Sequence, residues 1–276
     1  MSVVSLPASS ALAQPPGRTT SMLLSTLQVA RRALLRYFRN PQMVVLGTVQ
    51  GAMFLLIFRY VFGGAVNVSG TSYVDFLIPG FVMTSVLFSG MGASTAVAED
   101  LQQGFVDRLR SLPVPRACFL TGRAAGDTVW NLWGLAVVSA VGFAVGFRPH
   151  GGTGNELAAF GLCVVFGFAF EWLFIVLGLL AGTPQAAQGM ALLVFPFTFV
   201  SSAYVPVKTM PGWMQAFAQN QPITFMSDAV RALALGHPAT AELGHPAGFY
   251  VTWALVWAAG AVVLFAPLAL ARYSRS

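Results

Sequence analysis

Residues 76–116 read FLIPGFVMTSVLFSGMGASTAVA followed by EDLQQGFVDRLRSLPVPR. The first part, residues 76–98, carries no charged side chain, and about 20 apolar residues in a helix cross a hydrocarbon core of about 30 Å. The second part, residues 99–116, is the most charged stretch of the chain. An apolar run of this length that ends abruptly in charged residues predicts a transmembrane helix followed by a loop at the membrane surface.

The whole chain has the composition of a membrane protein. Of its 276 residues, 56% are hydrophobic and 9% are charged, and the mean hydropathy is +0.71. Soluble domains carry about 25% charged residues. This difference excludes a soluble enzyme, a secreted disulfide-bonded scaffold and a disordered chain, and it predicts an all-α integral membrane fold.

Six segments are predicted to be transmembrane helices. They cover about residues 43–62, 76–98, 124–147, 157–181, 186–204 and 248–270. Residues 205–246, between spans five and six, mix polar and apolar residues and contain prolines, which predicts short helices at or dipping into the outer face. A solvated loop is the alternative there. Asp228 and Arg231 stand three residues apart, a spacing that allows an ion pair on a helix.

The arginines indicate the orientation. With the N-terminus inside, 11 of the 15 basic residues lie on the cytoplasmic side, as the positive-inside rule requires. Both termini are therefore predicted to be cytoplasmic, in a multi-pass protein of the cell membrane. Residues 1–20, rich in Ser, Pro and Ala, predict a disordered cytoplasmic tail, and residues 21–276 the membrane domain.

Two amphipathic helices are predicted on the cytoplasmic side. Residues 21–39 place apolar side chains on one helical face and Arg32, Arg36 and Arg39 on another, which is typical of a helix lying on the membrane. In residues 99–112, Leu101, Phe105, Leu109 and Leu112 form a second apolar stripe. This helix could bind a soluble partner that displaces it, or it could lie on the lipid headgroups. The apolar periodicity is compatible with both interpretations.

Ionisable residues inside predicted spans need partners, because a charge at the bilayer centre costs about 2.5–3.5 kcal/mol. Arg59 and Asp75 are predicted to pair across the first outer loop, and Asp127 to pair with Arg123. Glu171 lies deep in span four, where it either makes a packing hydrogen bond or lines a substrate path. Small residues at GxxxG spacing, Gly142 and Gly146 on span three and Gly178 and Gly182 on span four, predict close helix contacts.

The chain lacks the common catalytic motifs. A phosphate-binding loop requires GxxxxGK[ST], but the sole lysine, Lys208, follows Val207. There is no GxSxG or HExxH. We therefore expect a chain that is not itself an enzyme and that holds no cofactor or metal. The alternatives are a proton-coupled secondary transporter that uses Glu171 or Asp127, and a membrane-embedded enzyme acting on lipids.

Two blocks resemble the ABC-2 class of permeases, in particular the daunorubicin-resistance group. The outer block is residues 201–233. The cytoplasmic block is residues 99–127, and its matching positions are Glu99, Gly104, Arg108, Leu109, Pro113, Arg116, Gly122, Arg123 and Asp127. Asn131 departs from the pattern, because this position often holds arginine in the family.

The resemblance implies a dimer of permeases, identical or sister, that exports a hydrophobic lipid or drug-like molecule and so confers antibiotic resistance. Two copies of a separate ABC ATPase would bind ATP and Mg²⁺, with residues 99–112 as the coupling helix and residues 21–39 as the connecting helix. Its ATPase-coupling residues would be Glu99, Asp100, Gly104, Phe105, Arg108, Arg110, Arg32 and Arg36. The substrate path, between spans two and five, would include Phe81, Met83, Phe88, Phe195, Phe197, Phe199 and Glu171.

Overall fold

The computed structural model describes residues 18–39, 41–64, 72–105 and 117–275. All the regular structure in these ranges is helical, which confirms the all-α prediction for this part of the chain. Most of the predicted tail, residues 1–17, lies outside the described residues. The first helix begins at Arg18.

The described part contains eleven α-helices. They are α1 (Arg18–Phe38), α2 (Pro41–Ile57, continued by a π-helical turn, Phe58–Phe62), α3 (Tyr73–Gln102), α4 (Ala117–Ala144), α5 (Thr153–Ala181), α6 (Pro184–Leu192), α7 (Phe195–Phe199), α8 (Gly212–Asn220), α9 (Pro222–Leu235), α10 (His237–Leu243) and α11 (Ala247–Arg275). The end of the bundle where α1 lies and α3 finishes is called the inner end here, and the opposite end the outer end.

Four helices are long and apolar enough to cross a membrane. They are Val44–Phe62, Tyr73–Gln102, Thr153–Ala181 and Ala247–Tyr273. These correspond to predicted spans one, two, four and six. Predicted span three is α4, whose 28 residues include Arg123 and Asp127. Predicted span five is not a single α-helix. Between α6 and α7, the backbone nitrogens of Leu193 and Val194 bond three residues back instead of four, although both residues keep right-handed helical dihedrals.

The C-terminal end of predicted span five is capped by a side chain from a distant part of the sequence. The amide nitrogen of Gln221, which precedes α9, donates to the carbonyl of Phe197 at 3.1 Å and also to that of Val200. Carbonyls in the last turn of a helix have no intrahelical partner, and within a membrane they need such donors. The end of α7 is therefore fixed to the outer segment that follows it.

Local sequence accounts for several helix ends. The hydroxyl of Ser72 accepts a hydrogen bond from the backbone nitrogen of Asp75 at 3.2 Å and caps α3. Gly182 ends α5 in the left-handed region, with φ 71°. Thr183 then caps α6 by accepting from the backbone nitrogen of Ala186, and Pro184 occupies the first turn. The chain therefore turns at residues 182–184, between α5 and α6.

The helix α3 forms the centre of the bundle, since 72% of its apolar window is buried against α4, α5, α6 and α9. Two glycines allow this close packing: a Cβ at Gly80 would overlap the carbonyl of Ala203, and one at Gly90 the ring of Phe174. Of the predicted GxxxG pairs, Gly142 and Gly178 lie at such contacts. Their partners, Gly146 and Gly182, instead have positive φ at helix ends.

Two glycines of α4, Gly122 and Gly126, allow α1 to pack closely against it, although only Gly122 was singled out from the sequence, as a position matching the family. A Cβ at Gly122 would lie 2.7 Å from the carbonyl oxygen of Thr26, and one at Gly126 would lie 2.8 Å from Cβ of Ala33. The opposite side of α1 leaves Leu24 and Leu27 at least half exposed. The predicted amphipathic helix is thus in direct backbone contact with α4.

Replacing Gly126 with Leu is expected to displace α1, because the atoms in the way include the carbonyl oxygen of Ala30, 2.9 Å from the new Cβ. Overpacking of this kind costs about 1–3 kcal/mol. We expect a lower melting temperature in detergent and faster tryptic cleavage at Arg31 and Arg32. Gly134→Leu is the matched control on the same helix, since a Cβ there meets no atom within 4 Å. Equal behaviour of the two variants would contradict the packing argument.

Candidate functional site

The inner end of the bundle holds a buried set of alternating charges, here called the inner charge network: Arg32, Asp100, Arg123 and Asp127. An oxygen of Asp100, in the last turn of α3, lies 2.9 Å from Nη2 of Arg32 on α1. The other oxygen lies 3.5 Å from Nη1 of Arg123 on α4. Nε of Arg123 donates to Asp127 at 2.6 Å. The predicted pair of Arg123 and Asp127 is confirmed, and the network joins three helices.

Glu171 extends the inner charge network into the membrane-spanning region. Its side chain is buried on α5, and its carboxyl group adjoins that of Asp127. The structure therefore places Glu171 inside the bundle, against α4. One turn along α4 from Asp127, the buried amide of Asn131 makes no hydrogen bond to the described residues.

The prediction that a separate coupling helix begins at residue 99 is wrong. Glu99 and Asp100 belong to α3, which ends at Gln102, and Gly104 then takes a left-handed φ of 63°. Leu101 and Phe105 are four residues apart, which is the spacing of a continuous helix, so the sequence pattern did not predict this turn. Asp100, predicted to face an ATPase, is buried and faces α1 and α4 instead. Arg108 and Arg110 lie outside the described residues, as does the side chain of Arg36.

Phe105, the first residue beyond the glycine turn, is attached to the same region. Its ring lies under the guanidinium of Arg32, with the central carbon 3.5 Å from the ring centroid, a cation–π contact. The ring also contacts Phe119 at 6.0 Å, and Phe119 stacks on Tyr273 at 5.5 Å. The start of the inner loop is therefore fixed to α1, α4 and α11 at once.

A second polar group, the outer polar cluster, surrounds Arg231 on α9. Nη1 of Arg231 lies 2.5 Å from Asp228, which confirms the predicted pair. Its other nitrogens donate to the carbonyls of Ser202 at 2.8 Å and Phe76 at 3.1 Å. The hydroxyl of Ser202 donates to Asp228 at 2.7 Å. Both charged side chains are buried, so α9 lies within the bundle and the solvated-loop alternative is wrong for this helix.

The predicted ion pair of Arg59 and Asp75 is wrong. Asp75 accepts a hydrogen bond from the hydroxyl of Ser72 at 2.6 Å and takes part in the cap of α3. The guanidinium of Arg59 lies 5.6 Å from the ring centroid of Tyr60. The local capping interaction and the π-helical turn at Phe58–Phe62 keep the two side chains apart.

Aromatic side chains of predicted spans one, two and five form a continuous row, the aromatic wall. Its members in order are Phe88, Phe195, Phe199, Tyr204, Phe58 and Phe81, with centroid separations of 5.5, 4.8, 5.2, 4.8 and 6.4 Å. Four of the predicted path residues are therefore brought together. Phe197 is half exposed and contacts Phe217 instead, and Met83 is fully buried in the core.

Sequence reasoning missed Phe58 and Tyr204 in the aromatic wall. Phe58 begins the π-helical turn, and the hydroxyl of Tyr204 donates to Thr84 at 2.9 Å. The signal available in the sequence was only their position at the ends of predicted spans. No group of three or more metal-ligating side chains occurs within the described ranges.

The comparison with known proteins connects these two regions to a family. The profile of the ABC-2 type transporter family matches residues 25–235, which include the inner charge network and the outer polar cluster. The chain belongs to the ABC-2 type transporter family. It is therefore a permease-type subunit of a multi-pass membrane transporter, and this family implies an ABC ATPase as partner.

Named relatives of this ABC-2 chain come from several bacteria. It is 33% identical over 260 residues to the daunorubicin resistance ABC transporter permease protein DrrB1 of Streptomyces coeruleorubidus, covering 94% of this chain and 88% of that protein. It is 28% identical over 250 residues to the probable doxorubicin resistance ABC transporter permease protein DrrC of Mycobacterium tuberculosis, covering 89% and 87%. The inner membrane transport permease YadH of Escherichia coli is 24% identical over 200 residues, covering 71% and 76%. The predicted resemblance is confirmed.

Proposed function

We propose that this chain is the membrane subunit of an exporter that is driven by ATP hydrolysis on a separate ATPase chain. The observation that carries the proposal is the inner charge network. It connects α1, the end of α3 and α4 to the start of the inner loop, through Asp100, Arg123 and the stacked pair of Arg32 and Phe105. A displacement of the loop by a soluble partner would thus reach three helices together.

In this mechanism two ATPase copies dock on the cytoplasmic side, against the loop that follows Gly104 and against α1. ATP binding closes the ATPase pair, and its different affinity for the two permease conformations shifts the equilibrium toward the outward-open one. The arginine bias and the family resemblance support six spans with cytoplasmic termini. The α4 helix and the broken helix α6–α7 would supply the two spans beyond the four long apolar helices.

The cargo we propose is a hydrophobic lipid or a drug-like molecule. The aromatic wall supports this assignment, because aromatic faces bind apolar molecules without requiring specific hydrogen bonds. The names of two relatives refer to daunorubicin and doxorubicin resistance, which supports the drug-like class and a role in antibiotic resistance. A second permease, identical or sister, would cover the first span, since only 6% of its apolar window is buried within one chain.

The decisive test uses the permease and its ATPase together in proteoliposomes loaded with a fluorescent anthracycline. Replacing the phosphate-binding lysine of the ATPase with alanine should reduce ATP-dependent transport to background, because the permease has no other source of energy. Dissipating the proton gradient with a protonophore should leave transport by the wild-type pair unchanged. Transport by empty liposomes sets the background.

The same assay separates the proposal from the proton-coupled alternative. Under that alternative, transport survives the inactive ATPase, stops with the protonophore, and is lost in the permease variant Glu171→Gln. This combination of results would overturn the ATP-driven assignment. Glu156→Gln is the matched control, since Glu156 lies in the first turn of α5, far from the inner charge network.

A further inference from the structure

A cleft of about 450 Å³ opens at the inner end, between α1 and the ends of α3 and α4. Four arginines line it: Arg31 and Arg32 from α1, Arg39 directly after that helix, and Arg123 from α4. Among the described residues, Asp100 is the one acidic residue in its wall. The volume falls in the range of about 300–1,000 Å³ that is typical of sites for small molecules.

Acidic side chains of the described residues neutralise only part of the positive charge of the cleft. Asp100 forms ion pairs with both Arg32 and Arg123, and Arg123 also forms an ion pair with Asp127. The exposed side chains of Arg31 and Arg39 form no ion pair with any residue in the described ranges. Two guanidinium groups therefore face the cleft with no acidic partner in the described part of the chain, and each offers a planar set of donors suited to phosphate.

The position of the cleft favours a lipid as the source of that phosphate. The helix that provides Arg31 and Arg32 also exposes Leu24 at 50% and Leu27 at 64%. A helix with arginines beside exposed leucines lies in the boundary between headgroups and acyl chains. Basic pockets between transmembrane helices on the cytoplasmic side are typical sites for anionic headgroups.

We propose that the cleft binds the phosphate group of an anionic phospholipid from the inner leaflet. Arg31 and Arg39 contact the phosphate, while Arg32 and Arg123 add positive potential from within the inner charge network. The acyl chains lie along Leu24 and Leu27. The bound lipid would then hold α1 against α4 at the surface where the ATPase docks. The assignment to the inner leaflet rests on the orientation given in the proposed function, whereas the binding itself does not.

The test measures lipid retention by the full-length permease, without ATP or transport. The purified protein is exchanged into nanodiscs of phosphatidylcholine with a minor fraction of phosphatidylglycerol, and the lipids retained after detergent extraction are counted by native mass spectrometry. The variant Arg31→Gln/Arg39→Gln should bind phosphatidylglycerol about 30-fold more weakly, the effect expected for two basic residues near an anionic surface. The matched control, Arg148→Gln/Lys208→Gln, removes two exposed charges at the outer end and should bind like wild type.

Three outcomes would overturn the proposal. The first is equal phosphatidylglycerol retention by wild type and by the Arg31/Arg39 variant. The second is full displacement of the lipid by millimolar inorganic phosphate, which would assign the site to a soluble anion. The third is release of the lipid when the ATPase binds, which would assign the cleft to an acidic residue of that partner. A failed transport assay affects none of these measurements, so this proposal and the proposed function fail separately.

Discussion

Replacing Arg123 with Met is expected to lower the free energy of unfolding by about 3–5 kcal/mol, the usual result of removing one partner from a buried ion pair. The side chain of Arg123 is 3% exposed and is bonded to both Asp100 and Asp127. Its loss would leave two buried carboxylates side by side, with that of Glu171 adjoining Asp127. Arg32 would compensate Asp100 only in part, because Arg32 is 44% exposed and is screened by solvent.

The measurement is the melting temperature of the purified permease in lipid-free detergent, where a fall of roughly 10 °C is expected. Arg31→Met is the control, since it removes an exposed arginine from the same cleft and should melt like wild type. The double variant Arg123→Met/Asp127→Asn should recover part of the lost melting temperature, because it also removes one of the two buried carboxylates that have lost their arginine. A variant Arg123→Met that melts at the wild-type temperature would show that the network is not a source of stability.

Replacing Arg231 with Met is expected to have an effect of similar size at the outer end, about 3–5 kcal/mol. Arg231 is 2% exposed, and three of its nitrogens bond to Asp228, Ser202 and Phe76. Its guanidinium also lies 3.8 Å from the ring centroid of Phe76. The substitution leaves the buried carboxylate of Asp228 without its cationic partner. It also removes the donors that connect the turn at residues 201–204 to α3.

The readout is the folded yield after membrane extraction, followed by the melting temperature. The double variant Arg231→Met/Asp228→Leu should be more stable than Arg231→Met alone, because replacing both members of a buried pair with apolar residues is often nearly neutral. Arg148→Met is the matched control, because among the described residues the side chain of Arg148 bonds only to two backbone carbonyls, those of Phe143 and Phe147, at the outer end. A double variant less stable than the single one would contradict the ion-pair account.

Local features of the sequence predicted a large part of this structure. Apolar runs located the long helices, and helical spacing predicted two ion pairs, Arg123 with Asp127 and Arg231 with Asp228. Both pairs lie within one turn of a single helix, so their geometry follows from periodicity. The prediction for Arg59 and Asp75 required knowledge of a loop, and there a serine cap formed instead.

Features that depend on contacts between distant segments were not predictable. Asp100 stands 68 residues from its partner Arg32, and nothing in the spacing indicates that contact. The spacing of the apolar residues Leu101 and Phe105 is that of a continuous helix. It therefore gave no sign of the left-handed conformation of Gly104 between them. The aromatic wall draws on three spans whose relative rotation depends on glycine contacts such as that of Gly80 with Ala203. Part of the candidate coupling surface therefore emerged only from the tertiary structure.

The capping of the end of α7 by Gln221 has a consequence for biogenesis. When residues 184–204 leave the ribosome, the carbonyls of Phe197 and Val200 have no donor until Gln221 has also been synthesised. Unsatisfied carbonyls oppose transfer into hydrocarbon. This segment is therefore expected to wait at the translocon and enter the bilayer together with α9. Insertion of the second half of the protein would then be a cooperative event, in which a truncated chain ending before Gln221 fails to retain its fifth span.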